Sequence, residues 1–273
     1  MKPIRPTFAN PPLIERAISV VFKPLDGFAI GDFGLFWSRI IDDFPDSETL
    51  HPVGTEIETF DRFRPLRPEL RLASADELPR AAFRNTLTGE LVQLQSDRFG
   101  FNWIKTNEDH KYPHSEATLT RFYSLFSVFM NFVRERGLGD VQVIQCEITN
   151  VNVVLISDIG ESFADVATVL KVAPLEQDFN CVRLEQQLVG SKHLMIDESG
   201  RPIGRIHSLG QPSLKVPSDE EAFRFDITAR GLPIGEGVDA TRRFFEVAVS
   251  AVNAVFLSSI TAAGRKFWGE HHA

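Results

Sequence analysis

Cysteine is scarce in this chain. Two residues, Cys146 and Cys181, stand among 273, too few for a four-ligand zinc site or a disulfide framework. Both lie inside strand-like apolar patterns, which suit buried, reduced thiols and a cytosolic setting. Long hydrophobic runs are missing as well. The stretches 13–22 and 247–257 are interrupted by polar residues and fall short of a bilayer span. Met1-Lys-Pro-Ile-Arg-Pro6 meets proline before any apolar run, so no signal peptide is expected. Strong charge of one sign is also lacking. Charged residues make up 24%, with a net charge of -8 and a pI near 5.4, which gives no global attraction for nucleic acid or anionic lipid. The arginine-dense run 62–71 carries acidic neighbours and reads as a solvated loop. Finally, no HExxH, GxSxG or Walker A pattern occurs, so the chain offers no ready-made catalytic signature.

What is present is apolar patterning: 43% of residues are hydrophobic, enough for a substantial core. The clearest segment is 91–105. Val92 and Leu94 alternate with Gln93 and Gln95, Ser96-Asp97-Arg98 supplies a turn, and Phe99, Phe101 and Trp103 recur at period two. This is the pattern of a hairpin with one apolar face. Next comes a helix over 115–136, in which Phe122, Leu125, Phe126, Phe129 and Val133 form a broad stripe before Gly137 and Gly139 end it. The three rings of the hairpin are expected beneath that stripe.

Around this unit the chain reads as two series. The first has a strand over 13–22, with Arg16 breaking its apolar face, and a helix capped by Asp32 that buries Phe33, Phe36, Trp37, Ile40 and Ile41. Weaker strands over 55–60 and 70–72, the hairpin and the long helix follow. The second has a strand over 141–154, a short helix near 163–170, strands over 181–189, 194–197, 203–209 and 223–230, and a long helix from Asp239. Tight turns between consecutive strands require antiparallel neighbours. The expected fold is therefore α+β, with two pattern-similar halves, 1–137 and 138–273. Each half is an antiparallel sheet packed on a long helix, in a helix-grip or TBP-like arrangement, and the two form one compact unit.

Candidate chemistry is sparse. His110 and His114 stand close in sequence with acidic neighbours, but Pro113 interrupts any helical ligand spacing, and no metal or cofactor is expected. Gly231-Leu-Pro-Ile-Gly-Glu-Gly237 precedes a helix yet lacks the lysine and hydroxyl of a phosphate loop and reads as a turn. Tyr112, Glu147, Asp226 and His207 are titratable but scattered. The better candidates are polar residues on strands: Gln93, Gln95 and Asn102 in the first half, and Gln145, Glu147, Asn150 and Asn152 in the second. They line a ligand-binding groove or form the wet side of an amphipathic sheet. The last helix is apolar on more than one side, through Phe244, Phe245, Val247, Ala248, Ala251, Val252, Val255 and Phe256. That fits either deep burial or a helix shared in a homodimer.

The combination of Asn10-Pro-Pro-Leu-Ile-Glu15, the hairpin 91–103, the Tyr112-Pro113 loop, Gln145-Cys-Glu-Ile-Thr-Asn-Val-Asn152 and Phe267-Trp-Gly269 resembles an uncharacterised, sporadically distributed prokaryotic conserved-domain family. That resemblance implies a cytosolic bacterial protein in an accessory or defence-type system, and it carries no catalytic residue, cofactor or substrate. The leading expectation is a non-enzymatic binding or regulatory module for a protein partner or small ligand. The alternatives are a hydrolase-like enzyme, using Glu147 or His207 with a water, and a nucleic-acid binder with a local basic groove. The acidic balance disfavours nucleic acid, and no membrane partner is expected.

Overall fold

The structure is a computed structural model and describes residues 6–60, 77–107, 110, 112–172, 186–216, 218–237 and 239–272. Its elements, in chain order, begin with β1 (Pro6–Phe8), β2 (Leu13–Phe22), α1 (Ile30–Trp37), β3 (Asp46–Leu50), β4 (Arg80–Asn85), β5 (Glu90–Gln95), β6 (Arg98–Ile104) and α2 (His114–Glu135). They continue with β7 (Val143–Leu155), α3 (Ile156–Ile159), a 3-10 turn (Phe163–Asp165), α4 (Val166–Val169), β8 (Val189–Ile196), β9 (Pro202–Lys215) and β10 (Glu220–Gly231). The chain closes with α5 (Ala240–Ser259), α6 (Ala262–Phe267) and β11 (Glu270–His272).

Among the described residues, nine strands make one antiparallel sheet in the order β3-β4-β5-β6-β2-β7-β10-β9-β8, and β1 pairs with β11 in a separate two-stranded ribbon. The fold is thus mixed α+β around a large antiparallel sheet. Strands preceding residue 137 lie on one side of the central β2–β7 pair, and strands following it lie on the other.

Period-two alternation gives the sheet one apolar and one polar face. Ile18, Val20 and Phe22 of β2 share the apolar face with Phe99 and Phe101 of β6, Cys146 and Ile148 of β7, and Phe225 and Ile227 of β10. On that face lie α1, α2 and α5. Phe99 stacks on Phe129 of α2 at 5.2 Å between ring centres, Phe36 of α1 meets Phe129 edge-on at 5.6 Å, and Phe122 of α2 meets Phe245 of α5 at 5.6 Å. Each such ring, fully buried, contributes about 1.5–3 kcal/mol of hydrophobic stabilisation. Burial also pushes the Cys146 thiol far above its usual range, with Glu147 adding repulsion, so it is an inert core residue.

Several expectations change. The helix stripe stops at Trp37, Ile41 is half-exposed, and the Asp32 carboxylate accepts the Ala29 N–H from inside the first turn instead of capping it. Residues 55–60 form no strand: side chains of the sheet hold the Val53 and Glu58 N–H groups, and Asp97 in the β5–β6 turn accepts from the Thr55 hydroxyl. The strand expected over 70–72, the arginine run 62–71 and Cys181 lie outside the described residues. Trp103 is buried, but Tyr112 and His110 cover it, at 5.3 and 5.2 Å between ring centres, in place of the α2 phenylalanines. Part of the surplus apolar side of α5 packs within the chain, where Phe256 meets Phe8 of β1 at 5.8 Å and Trp268 at 5.9 Å, while Val247 is exposed. Among the described residues no helix is long and apolar enough to cross a membrane.

Candidate functional site

On the sheet face opposite the helices, polar side chains from seven strands gather in a two-part array. Its first part runs along β4, β5, β6 and β2. Arg80 donates to Gln93 at 2.5 Å, Gln93 donates to Asn102 at 3.0 Å, and Asn102 donates in turn to Glu15. Asn102 is 5% exposed, whereas Arg80, Gln93 and Glu15 are half-buried, so the relay is buried at Asn102 and open to solvent elsewhere.

The second part centres on Glu147 of β7. Arg98 of β6 donates to it at 2.8 and 3.4 Å, Gln145 donates at 2.8 Å, and the Arg230 Nε of β10 lies 3.1 Å away without hydrogen-bond geometry. Burial would raise the Glu147 pKa, but Arg98 and Arg230 outweigh it and hold the carboxyl below its usual range. A carboxylate held ionised in this way supplies negative charge and is a poor proton donor.

Residues 51–60 cross this face as an irregular strap. The Gln95 side chain accepts the Val53 N–H at 2.7 Å and donates to the Val53 carbonyl at 3.3 Å. Gln145, fully buried, accepts the Glu58 N–H at 2.8 Å and donates to the Glu56 carbonyl at 2.9 Å. The Glu58 carboxylate takes Arg205 and His207 of β9, each at 2.5 Å, and Arg230 stands 3.9 Å away. Glu56 pairs with Arg230 at 2.8 Å, and Arg205 also donates to the Thr59 carbonyl and lies over the Phe60 ring. Burial raises the Glu58 pKa, yet the hydrogen bonds from His207 and Arg205 prevail and hold it at about 2.

Of the predicted site residues, Gln93, Gln95, Asn102, Gln145 and Glu147 share this face. Asn150 and Asn152 do not. They stand an odd number of residues from Gln145 and Glu147 in a strand whose pairing with β10 is continuous, so the pleat turns them to the helix side. There Asn150 accepts from the fully buried Arg16, which also donates to Tyr112 and Ser115, and Asn152 donates to the Phe225 carbonyl. Glu58, Arg98, Arg205 and Arg230 are members that the sequence reading missed. Alternation places Arg205 with His207 and Arg230 with Thr228, which was the available signal. Glu58 lies in the segment expected as a strand, whose alternation sets it beside Glu56 but gives no sign of the Arg205 and His207 that it meets.

Other candidates disperse. His110 faces Trp103 and Thr106, whereas His114 lies against Tyr112. In the loop after β10 the Ile234 and Glu236 carbonyls accept from Arg243, so the loop binds its own guanidinium through carbonyl oxygens and shows no cradle of backbone N–H groups of the phosphate-loop kind among the described residues. A shallow pocket of about 260 Å³, open solvent included, lies between Phe163, Val166, Val172, Val189 and Phe223, away from the network. No family model matches the chain, and neither a curated protein nor a solved structure shows significant similarity to it.

Proposed function

We propose that this chain is a non-enzymatic binding or regulatory module that holds a protein partner or small ligand on the polar face of its sheet. One observation carries the reading: two glutamines of that face, Gln95 and Gln145, already grip the main chain of a segment that belongs to no strand. An amide fixed on a sheet, with one donor and one acceptor turned outward, is a recognition device, whereas hydrolysis calls for an activated nucleophile or a free acid–base pair. Glu58 and His207 touch, but Arg205 shares the same carboxylate. A nucleic-acid groove is disfavoured by charge. Arg84, Arg98, Arg205, Arg224 and Arg230 are each matched by a carboxylate, so the face is mixed and not basic.

The finer architecture belongs to the same proposal. Sheet order about the β2–β7 pair, with α2 and α5 on one face, supports two like halves in a helix-grip arrangement. The motifs quoted above support the sporadically distributed prokaryotic family, a cytosolic setting and an accessory role.

Affinity capture from cells that make the protein tests the function. Leu209 of β9 shares the polar face two residues from His207 and is 42% exposed. Wild-type protein should retain a stoichiometric partner or ligand that folded Leu209→Asp protein loses. Equal retention by both, or turnover with nothing retained, rejects the reading.

A further inference from the structure

We propose that the partner engages this face as an extended acidic peptide with two carboxylates at alternate positions, and that residues 51–60 are the resident occupant of that peptide site. The inference rests on the binding reading above and names the chemistry of its partner.

Three features of the strap point to an exchangeable ligand. First, its attachment is by side chains of the sheet: among the described residues, its main chain makes no bond to any other main chain. Gln95 satisfies both polar groups of Val53, and Gln145 satisfies the Glu58 N–H and the Glu56 carbonyl. These contacts reproduce what a neighbouring strand would offer and are indifferent to the side chains of the peptide held. Second, selectivity resides in charge. Glu56 and Glu58, two apart, both reach guanidinium groups, Glu56 on Arg230 and Glu58 on Arg205, with His207 on the other oxygen of Glu58. Residues at i and i+2 of an extended chain face the same side, so a Glu-x-Glu segment matches the spacing of Arg205 and Arg230, which are cross-strand partners. Third, the site continues beyond the strap. Leu194, paired with Arg205 on β8, and Leu209 are 53% and 42% exposed on this face, ready for apolar residues flanking the acidic pair.

A tethered occupant competes at an effective concentration on the order of millimolar, so a free peptide at micromolar concentration enters once the tethered copy is weakened. The probe is a labelled synthetic peptide of residues 51–60, followed by fluorescence anisotropy on the full-length chain. Protein carrying Glu56→Ala and Glu58→Ala should bind it about ten-fold or more tighter than wild type does. Arg205→Ala added to that protein should abolish the gain, and so should a probe with Gln in place of both Glu. If the double variant does not fold, Glu58→Gln alone, which keeps the size of the side chain, replaces it with the same expected order. The inference is overturned if no variant binds the probe better than wild type, or if removal of Arg205 leaves binding unchanged. Should that happen while wild-type protein still captures a partner that Leu209→Asp loses, the acidic-peptide inference fails alone. Loss of both results removes the binding reading with it.

Discussion

Trp103 sits where the hairpin leaves the phenylalanine stack, and its indole N–H donates to His110 at 3.3 Å while Tyr112 closes over the ring. The ring is 3% exposed, so Trp103→Ala should lower the unfolding free energy by ~3–5 kcal/mol in denaturant melts. Asn102→Ala strands Gln93 and Glu15 and should cost ~1–3 kcal/mol. A wild-type midpoint for Trp103→Ala would move that ring out of the core. The Glu58 carboxyl makes a second test at this scale. Its pKa is about 2 in the fold against an ordinary 4.5, so its contribution is present above pH 4.5 and fades as pH falls toward 2. Wild-type stability should therefore drop between those values, and Glu58→Gln should flatten that part of the curve. Superimposable curves would mean that His207 and Arg205 do not hold the carboxylate.

Among the elements, β9, β10 and α5 approach one another closely at Gly231. A methyl group at Gly231 would meet the Ile203 carbonyl oxygen at 2.2 Å and the Phe244 ring at 2.6 Å. Gly231→Ala should therefore destabilise by ~1–3 kcal/mol through overpacking. Gly34 of α1 has nothing within 4 Å of such a methyl, and Gly34→Ala should stabilise by about 0.5–1 kcal/mol. Thermal melts that fail to separate the two would refute the close packing of α5 on the sheet. Element identity was largely legible: the helix over 115–136 falls at His114–Glu135, and the hairpin over 91–105 is β5 and β6. Both have strong periods. The strap has only a short, weak alternation, and the expected strand at 55–60 failed there, because its main-chain hydrogen bonds come from the Gln95 and Gln145 side chains, 42 and 87 residues away.

For the whole molecule, β2 and β7 stand side by side at the centre of the sheet, α2 touches α5 through Phe122 and Phe245, and Tyr123 bonds Thr241 at 3.4 Å. Burial of the Tyr123 hydroxyl raises its pKa to about 12, outweighing the hydrogen bond with Thr241, so the phenol stays neutral across this seam. Chains cut into 1–137 and 138–273 each expose a central strand edge and half of a shared aromatic layer. Each alone should lack the near-ultraviolet circular dichroism of the intact chain, and mixing should restore it. Native spectra from the isolated halves would establish two independent domains.

Composition and periodicity alone determined the antiparallel α+β class, the two long helices and which strand residues turn toward the core, because these follow from local spacing along the chain. They also placed Gln93, Gln95, Asn102, Gln145 and Glu147 on polar strand positions, while strand parity, read strictly, would have removed Asn150 and Asn152 from that set. The tertiary structure decided what those residues do. Glu58 meets Arg205 and His207 across sequence separations of 147 and 149 residues, and Arg98 meets Glu147 only because β6, β2 and β7 are neighbours in one register. Charge pairing across a sheet depends on strand order and register, which are settled by the burial of the opposite face, and no local pattern in the polar residues themselves encodes it.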